Sequence, residues 1–203
     1  MSISIYTVAA ICGNFWGESS VNPGIFEGTA EFTPADLVDN NFYGGYGLGQ
    51  WTNKIEWNLT RRTELVEWLR ENGYADDDGW GQIAYLLYEN YWVKNVGTYN
   101  TLTDFLENTS TDIDNLVYIW MRNWEGIYNS SIKKRRTFAN DVAAYISNHY
   151  DDPEITTWHS KNDWLSRQEA FENSVLVYRA LTGGAPPKPV HKKMPLWMYL
   201  RRL

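Results

Sequence analysis

An apolar segment near the N-terminus, stopped abruptly by a proline, constrains the fold of this chain more than any other feature. Residues 3–16 carry apolar side chains at close to helical spacing, and the Asn-Pro-Gly run at 22–24 prevents the helix from continuing. Glu18 therefore lies at or just beyond the last turn of the predicted helix. The helix dipole disfavours an anion there, and exclusion of water by Phe15 and Trp16 favours the neutral carboxylic acid in the same way. A carboxyl group that keeps its proton is a candidate general acid.

The rest of the chain combines further helical patterns with one long irregular stretch. Residues 19–53 are rich in Gly, Asn, Pro and aromatic residues, which predicts a long loop with one short hairpin. Apolar residues recur at helical spacing in six later segments: 61–69, 80–95, 101–108, 112–124, 131–150 and 164–181. The predicted fold class is therefore mainly α, with a small irregular or β element after the first helix.

Four consecutive basic residues stand near the start of the helical pattern at 131–150: Lys133, Lys134, Arg135 and Arg136. Positive charge at a helix N-terminus opposes the helix dipole, so an acid such as Glu125 is expected to contact one of them. The charge pattern thus predicts an ion pair between this helix and the segment before it.

The length of 203 residues supports one main domain, which we expect to span residues 1–150. Residues 151–182 hold one more helix. Because a lone helix cannot bury its own apolar stripe, this helix is expected to dock on the main domain or on a partner. Residues 183–203 form a Gly/Pro linker and a basic, amphipathic tail, which is either a flexible end or a docking peptide for a neighbouring protein or a surface.

Charge, hydropathy and the N-terminal sequence argue against nucleic-acid binding, a membrane span and a secretory signal peptide. The net charge of −7 argues against nucleic acid, since phosphate binding needs clustered basic residues. No apolar run approaches the roughly 18 residues that a membrane span needs. No Lys or Arg precedes Lys54, so the basic leader of a secretory signal peptide is missing.

Cofactors and metal ions are not expected. The three histidines, His149, His159 and His191, show no spacing suited to zinc or to a nucleophilic triad. The acidic turn at 76–79 lacks the alternating ligands and the distal glutamate of a calcium loop, so a solvated turn is expected there. The single cysteine, Cys12, cannot form an internal disulfide and is expected to be a small buried side chain.

Two spaced motifs resemble those of a known family. The run Cys-Gly-Asn-Phe-Trp-Gly-Glu-Ser-Ser-Val-Asn-Pro-Gly at 12–24 and the run Gly-Tyr-Gly-Leu-Gly-Gln-Trp-Thr at 45–52 resemble the phage tail lysozymes. Their pair Glu-Ser-x-x-Asn-Pro and Gly-Leu-x-Gln is similar to the signature shared with lytic transglycosylases. Residues 120–126 and 135–139 are similar to later Trp-Glu and Arg-x-x-Ala elements of the family, so the resemblance covers residues 5–148.

The resemblance includes a change of order. In many relatives, a segment similar to residues 162–173 stands with its following helix ahead of the catalytic helix, whereas here it comes after the domain. We therefore predict a circular permutation in which residues 164–181 take the place of the lead-in helix. Leu181 should then lie near residues 2–7, whereas an unrelated surface helix would pack elsewhere.

The resemblance implies a lysozyme-like domain that cleaves peptidoglycan between N-acetylmuramic acid and N-acetylglucosamine, with Glu18 as the general acid. Glu27 lies about as far after this acid as the second carboxylate does in some phage lysozymes. Three alternatives for the second carboxylate lie in the same loop: Glu31, Asp36 and Asp39. Without a carboxylate across the cleft from Glu18, the lytic transglycosylase route becomes favoured, in which a sugar hydroxyl attacks and leaves an anhydro end.

Residues around the glycine-rich run are predicted to bind the glycan. The turn lets the backbone approach a ligand, and the Gln50 amide can donate to and accept from a sugar or its acetamido group. Tyr43, Tyr46 and Trp51 offer faces for sugar stacking, although Trp51 suits the core equally well. The resemblance further implies a virion-tail protein that acts on the bacterial cell wall and contacts other tail proteins through its C-terminal tail. The alternative from another class is a non-catalytic structural or wall-binding tail component.

Overall fold

The computed structural model describes residues 3–54, 56, 59–93, 95–127 and 129–183. Within these ranges lie seven α-helices and a three-stranded sheet, which confirms the predicted mainly α class with a β element after the first helix. The helices are α1 (Ile5–Ser19), α2 (Arg61–Glu71), α3 (Gly79–Glu89), α4 (Leu102–Leu106), α5 (Ile113–Asn123), α6 (Ile132–His149) and α7 (Arg167–Thr182). The antiparallel strands, in sheet order, are β1 (Gly44–Tyr46), β2 (Trp51–Lys54) and β3 (Leu59–Thr60). The predicted linker and basic tail, residues 183–203, lie outside the described residues except for Gly183.

The helix α1 forms the centre of the core. Its fully buried apolar residues are Val8, Ala9, Ala10, Ile11, Cys12 and Phe15. It packs against α5, α6 and α7, so most of its surface is covered by other helices. Ser4 caps the first turn by accepting a hydrogen bond from the Thr7 backbone N–H at 3.1 Å. The helix ends where Ser20 adopts a left-handed conformation with φ of 57°, three residues before Pro23.

The helices α1 and α6 approach closely at Gly13. A Cβ atom at this position would lie 2.6 Å from the carbonyl oxygen of Arg135 and 2.8 Å from the Cβ atom of Ala139. This contact explains a glycine in the interior of a helix, where its low helix propensity is otherwise unfavourable.

The substitution Gly13→Ala is expected to destabilise the protein by about 1–3 kcal/mol, because the added methyl group forces two packed helices apart. At an unobstructed helix position the same change would stabilise by up to about 1 kcal/mol. Urea unfolding of the variant and of the unsubstituted protein measures the change in the free energy of unfolding. Asn148→Ala, at an exposed position of α6, is the control and should change stability by less than about 0.5 kcal/mol. A stabilised Gly13→Ala protein would contradict the close packing of α1 on α6.

The helix predicted at 80–95 is shorter than expected. α3 ends at Glu89, because Asn90 adopts a left-handed conformation with φ of 47°. Asparagine tolerates this conformation better than most residues, and its N–H bonds to the carbonyl oxygen of Leu86. The apolar residues after Asn90 therefore belong to a loop.

The helix predicted at 164–181 forms as α7 and packs against α1, α3 and α6. It begins only after Ser166, which caps the helix through reciprocal hydrogen bonds with Glu169. On its buried face, Asn173 Nδ2 donates to the carbonyl oxygen of Val21 at 2.8 Å, just beyond the end of α1. The circular permutation stays a prediction.

None of the helices in the described part of the chain is long and apolar enough to cross a bilayer. The same residues hold no group of three His, Cys, Asp or Glu side chains arranged for a metal ion. Cys12 is buried in α1, and burial raises the pKa of its thiol to about 12, which disfavours the reactive thiolate.

Candidate active site

A cleft of about 620 Å³ opens beside the C-terminal end of α1. Its walls come from that helix end, the turn that begins at Glu27, the β1–β2 hairpin and the segment that follows α5. Ligand-binding clefts commonly have volumes of roughly 300–1,000 Å³. The polar and aromatic side chains that bear on its chemistry are Glu18, Glu27, Tyr43, Gln50, Glu125 and Trp164.

Glu18 lies in the last turn of α1, the position that the sequence predicts. Its side chain is 23% exposed, so the carboxyl group is largely enclosed but can be reached from the cleft. Oε1 accepts a hydrogen bond from the guanidinium of Arg135 on α6. An acid at the end of the buried helix is thus tied to a second helix by an ion pair.

Arg135 joins two carboxyl groups beneath the cleft. Its side chain is 2% exposed, and Nη1 donates to the two carboxylate oxygens of Glu125 at 2.7 and 2.8 Å. Nη1 also donates to Asn14 Oδ1 at 3.1 Å, and Nε donates to Ser131 Oγ at 2.9 Å. The predicted contact between Glu125 and a basic residue at the start of this helix is confirmed.

Gly17 makes room for this guanidinium. A Cβ atom there would lie 2.5 Å from Nε and 2.6 Å from Cζ of Arg135. Because Glu18 and Glu125 hold the guanidinium, it cannot swing aside without breaking an ion pair. The glycine directly before the acid is therefore a steric requirement for the bridge between the two carboxyl groups.

Glu125 is the buried member of the carboxyl pair, with a side chain 5% exposed. Burial and, next, the charge of Glu18 raise the pKa of Glu125 well above its usual range, and Arg135 offsets part of the rise. Two ionised carboxylates beside one guanidinium would leave an uncompensated negative charge in a water-poor site, whereas one retained proton makes the cluster neutral. The geometry therefore favours one proton held by the pair, next to the cleft.

Glu27 lines the same cleft as Glu18. Its Oε2 accepts a hydrogen bond from the backbone N–H of Gly45 at 2.9 Å, which fixes the side chain against β1. Phe26, directly before it, forms an isolated bridge with Tyr46 of the same strand. The hairpin therefore positions this carboxylate.

The structure separates Glu27 from the alternatives in its loop. Within the described ranges, the residues that line the cleft do not include Glu31, Asp36 or Asp39. Asp36 accepts from the backbone N–H of Thr33 at 2.6 Å, and Asp39 accepts from that of Asn41 at 2.8 Å. These two carboxylates stabilise turns of the loop.

Gln50 ends the tight turn between β1 and β2, with φ of 50°. Its Nε2 donates to the carbonyl oxygens of Gly47 at 3.1 Å and Ile25 at 3.3 Å. The side chain thus fastens the hairpin turn to the loop that carries Glu27, while it also lines the cleft. Its Oε1 is the atom that can accept a hydrogen bond from a ligand.

The three aromatic residues predicted to stack on sugars occupy different environments. Tyr43 is 63% exposed and lines the cleft. Tyr46 is 2% exposed and Trp51 is 0% exposed, and Trp51 packs edge-to-face on Trp124 with ring centroids 5.6 Å apart. The expectation for Tyr46 is therefore corrected, and for Trp51 the alternative of a core residue holds: both rings are buried beneath the hairpin.

Four residues that line the cleft were not among the predicted site residues: Arg61, Tyr91, Glu125 and Trp164. Arg135, buried beneath the cleft, was not among them either. Arg61 lies 4.2 Å above the centroid of the Tyr91 ring and forms an ion pair with Glu89 at 2.6 Å. The sequence carried two signals for part of this group: the basic start of α6, which predicted a partner such as Glu125, and the resemblance of residues 120–126 and 135–139 to elements of the family.

The mainly α domain, with a small antiparallel sheet after its first helix and a cleft beside both, has the features of a lysozyme-like fold. The family model described as Phage tail lysozyme matches residues 1–146, and the chain belongs to that family. Membership implies a lysozyme-like function on peptidoglycan and suggests a location on the phage tail. No protein with a curated description matches the chain.

Proposed function

We propose that this chain is a muramidase that hydrolyses the bond between N-acetylmuramic acid and N-acetylglucosamine, with Glu18 as general acid and Glu27 as second carboxylate. One observation carries the proposal: the carboxyl groups of Glu18 and Glu27 line the same cleft. The buried Glu125, which shares the Arg135 guanidinium with Glu18 and whose pKa is raised by burial, supports it. Membership of the phage tail lysozyme family supports the substrate class.

Glycoside cleavage requires protonation of the leaving oxygen and stabilisation of an oxocarbenium-like transition state. Both members of the carboxyl pair line the cleft, and Glu18 is the more accessible one, since its side chain is 23% exposed against 5% for Glu125. Glu125 helps the pair to retain a proton, and Arg135 neutralises the remaining negative charge. Glu18 then donates the proton to the glycosidic oxygen.

Glu27 acts at the anomeric carbon, on the side of the glycosidic bond that is attacked by water. With one oxygen held by the Gly45 N–H, it presents its carboxylate to a water molecule or to the positive charge that develops at the anomeric carbon. Gln50 Oε1 and the exposed ring of Tyr43 bind sugar units in the same cleft. A second carboxylate in the cleft favours hydrolysis over the transglycosylase route.

The proposal includes a position on the virion tail, from which the protein opens the bacterial cell wall. The family description supports this setting. The basic segment at 183–203 would contact neighbouring tail proteins, and all of it except Gly183 lies outside the described residues.

Digestion of purified peptidoglycan by the intact chain tests the proposal. Mass spectrometry of the soluble products should find reducing N-acetylmuramic acid ends. Anhydro ends, which are lighter by one water molecule, would assign the chain to the lytic transglycosylases. Reducing N-acetylglucosamine ends would contradict the proposed bond, and wall binding without soluble products would indicate a non-catalytic structural or wall-binding component.

A further inference from the structure

The cleft is completed by a segment that the family match does not include. The match ends at residue 146, whereas Trp164, in the connection between α6 and α7, lines the cleft together with Glu18 and Glu27. Trp164 is therefore part of the cleft wall although it lies outside the matched residues.

Two asparagines fasten the connection to the loop after α1. The buried Asn22 donates through Nδ2 to the carbonyl oxygen of Asp163 at 2.7 Å. Asn162 accepts through Oδ1 from the backbone N–H of Phe26 at 3.0 Å. Because Glu27 directly follows Phe26, the connection and the loop that carries Glu27 form one hydrogen-bonded unit.

The backbone at Trp164 is fixed by its neighbours in the chain, whereas its side chain remains half exposed. Its backbone N–H donates to Asp163 Oδ1 at 2.8 Å, Leu165 is buried, and Ser166 caps α7. The tryptophan itself is 50% exposed. Tryptophan is highly buried on average, so an indole that leaves half of its surface free on a cleft wall, on a backbone fixed by hydrogen bonds, is suited to bind a ligand.

We propose that Trp164 binds the glycan by packing its indole face against the apolar C–H face of a sugar ring. This inference rests on the proposed function, which supplies the saccharide substrate. Tyr46 and Trp51 cannot take this role because their rings are buried, whereas Trp164 and Tyr43 present exposed aromatic surface to the cleft. The segment before α7 is then part of the substrate-binding site.

Binding of a peptide-free tetrasaccharide of alternating N-acetylglucosamine and N-acetylmuramic acid to the intact chain tests the inference. The reference protein carries Glu18→Gln, so that the ligand is not consumed, and isothermal titration calorimetry gives Kd. Adding Trp164→Ala is expected to weaken binding about tenfold, a loss typical of truncating an aromatic contact. Adding Trp164→Phe, which keeps a flat ring, should retain most of the affinity.

The matched control is Tyr6→Ala, which truncates an aromatic residue on α1 that is 41% exposed and does not line the cleft. It should bind as the reference does. With Glu18 restored, Trp164→Ala should raise KM more than it lowers kcat.

The outcomes separate this inference from the proposed function. An unchanged Kd in Trp164→Ala, with the tetrasaccharide bound by the reference, would overturn the role of Trp164 and leave the muramidase proposal intact. An equal loss in Trp164→Phe together with a lower Tm would assign Trp164 a structural role and overturn the inference as well. A reference protein that binds no tetrasaccharide would contradict both proposals.

Discussion

Replacing Glu18 with glutamine is expected to slow peptidoglycan cleavage by about 10²–10⁴-fold, the contribution typical of a general acid. Glutamine fills nearly the same space, and its amide oxygen can still accept the hydrogen bond from Arg135. The contact between α1 and α6 is therefore kept, but the side chain can no longer protonate the leaving oxygen. The initial rate at which soluble muropeptides leave purified cell walls measures the effect.

The same variant is expected to be about as stable as the wild type at neutral pH. Without the charge of Glu18, which contributes to the raised pKa of Glu125, Glu125 and Arg135 still form a neutral ion pair, so no uncompensated charge is buried. Urea unfolding separates loss of chemistry from loss of structure. Glu71→Gln, the same change at the C-terminal residue of α2, is the control and should cleave normally. Unchanged cleavage by Glu18→Gln would remove Glu18 from the mechanism.

The helix that carries Glu18 can be predicted from sequence because its determinants are local. Apolar residues repeat at helical spacing, Pro23 prevents continuation, and α1 accordingly spans Ile5–Ser19. The end of α3 depends instead on one residue, Asn90, in a left-handed conformation that the apolar pattern beyond it conceals. β1 and β2 have three and four residues, too few for an alternating pattern to show.

The surroundings of Glu18 are not local, and the sequence indicates only part of them. Arg135 lies 117 residues away, so its ion pair with Glu18 depends on how α1 packs on α6. The sequence shows that positive charges at the start of α6 need a partner such as Glu125, and residues 120–126 and 135–139 resemble elements of the family. Neither signal places Arg135 beside Glu18. For the aromatic residues, composition does not tell which ring faces the core. Pairing in the hairpin places Tyr46 opposite Trp51, and both are buried.

Trp164 shows how a correct helix prediction can conceal a site residue. The apolar pattern of the last helix appears to begin at Trp164, which suggests a residue packed on that helix. Ser166 caps α7 two residues later, so Trp164 belongs to the preceding connection. Its position on the cleft depends on hydrogen bonds to a loop more than a hundred residues earlier, such as that from Asn22 to Asp163.

Replacing Arg135 with methionine is expected to lower the free energy of unfolding by about 3–5 kcal/mol at neutral pH. The change leaves Glu18 and Glu125 adjacent without their shared cation and removes the hydrogen bonds to Asn14. Methionine keeps a long, unbranched side chain in the same space, so a cavity contributes little to the loss. Urea unfolding at a series of pH values measures it.

The loss of stability in Arg135→Met should increase as the pH rises from about 4.3 to neutral. A carboxyl group whose pKa is higher in the folded than in the unfolded protein makes the folded state less stable as the pH rises above the unfolded value of about 4.3. Burial already raises the pKa of Glu125, and Arg135 offsets part of that rise, so removing Arg135 raises it further. The destabilisation in Arg135→Met should therefore be largest at neutral pH and decrease as the pH falls towards about 4.3.

Two further variants identify the origin of this loss. Lys134→Met removes a positive charge from the adjacent, exposed position of α6 and should change stability by less than about 0.5 kcal/mol. Adding Glu125→Gln to Arg135→Met should recover part of the lost stability, because it removes the buried charge that has no cation beside it. A loss of stability that is equal at every pH would contradict the claim that uncompensated charge in the cluster causes it. Recovery of stability without recovery of cleavage would indicate that Glu18 needs the proton and the orientation that Glu125 and Arg135 together provide.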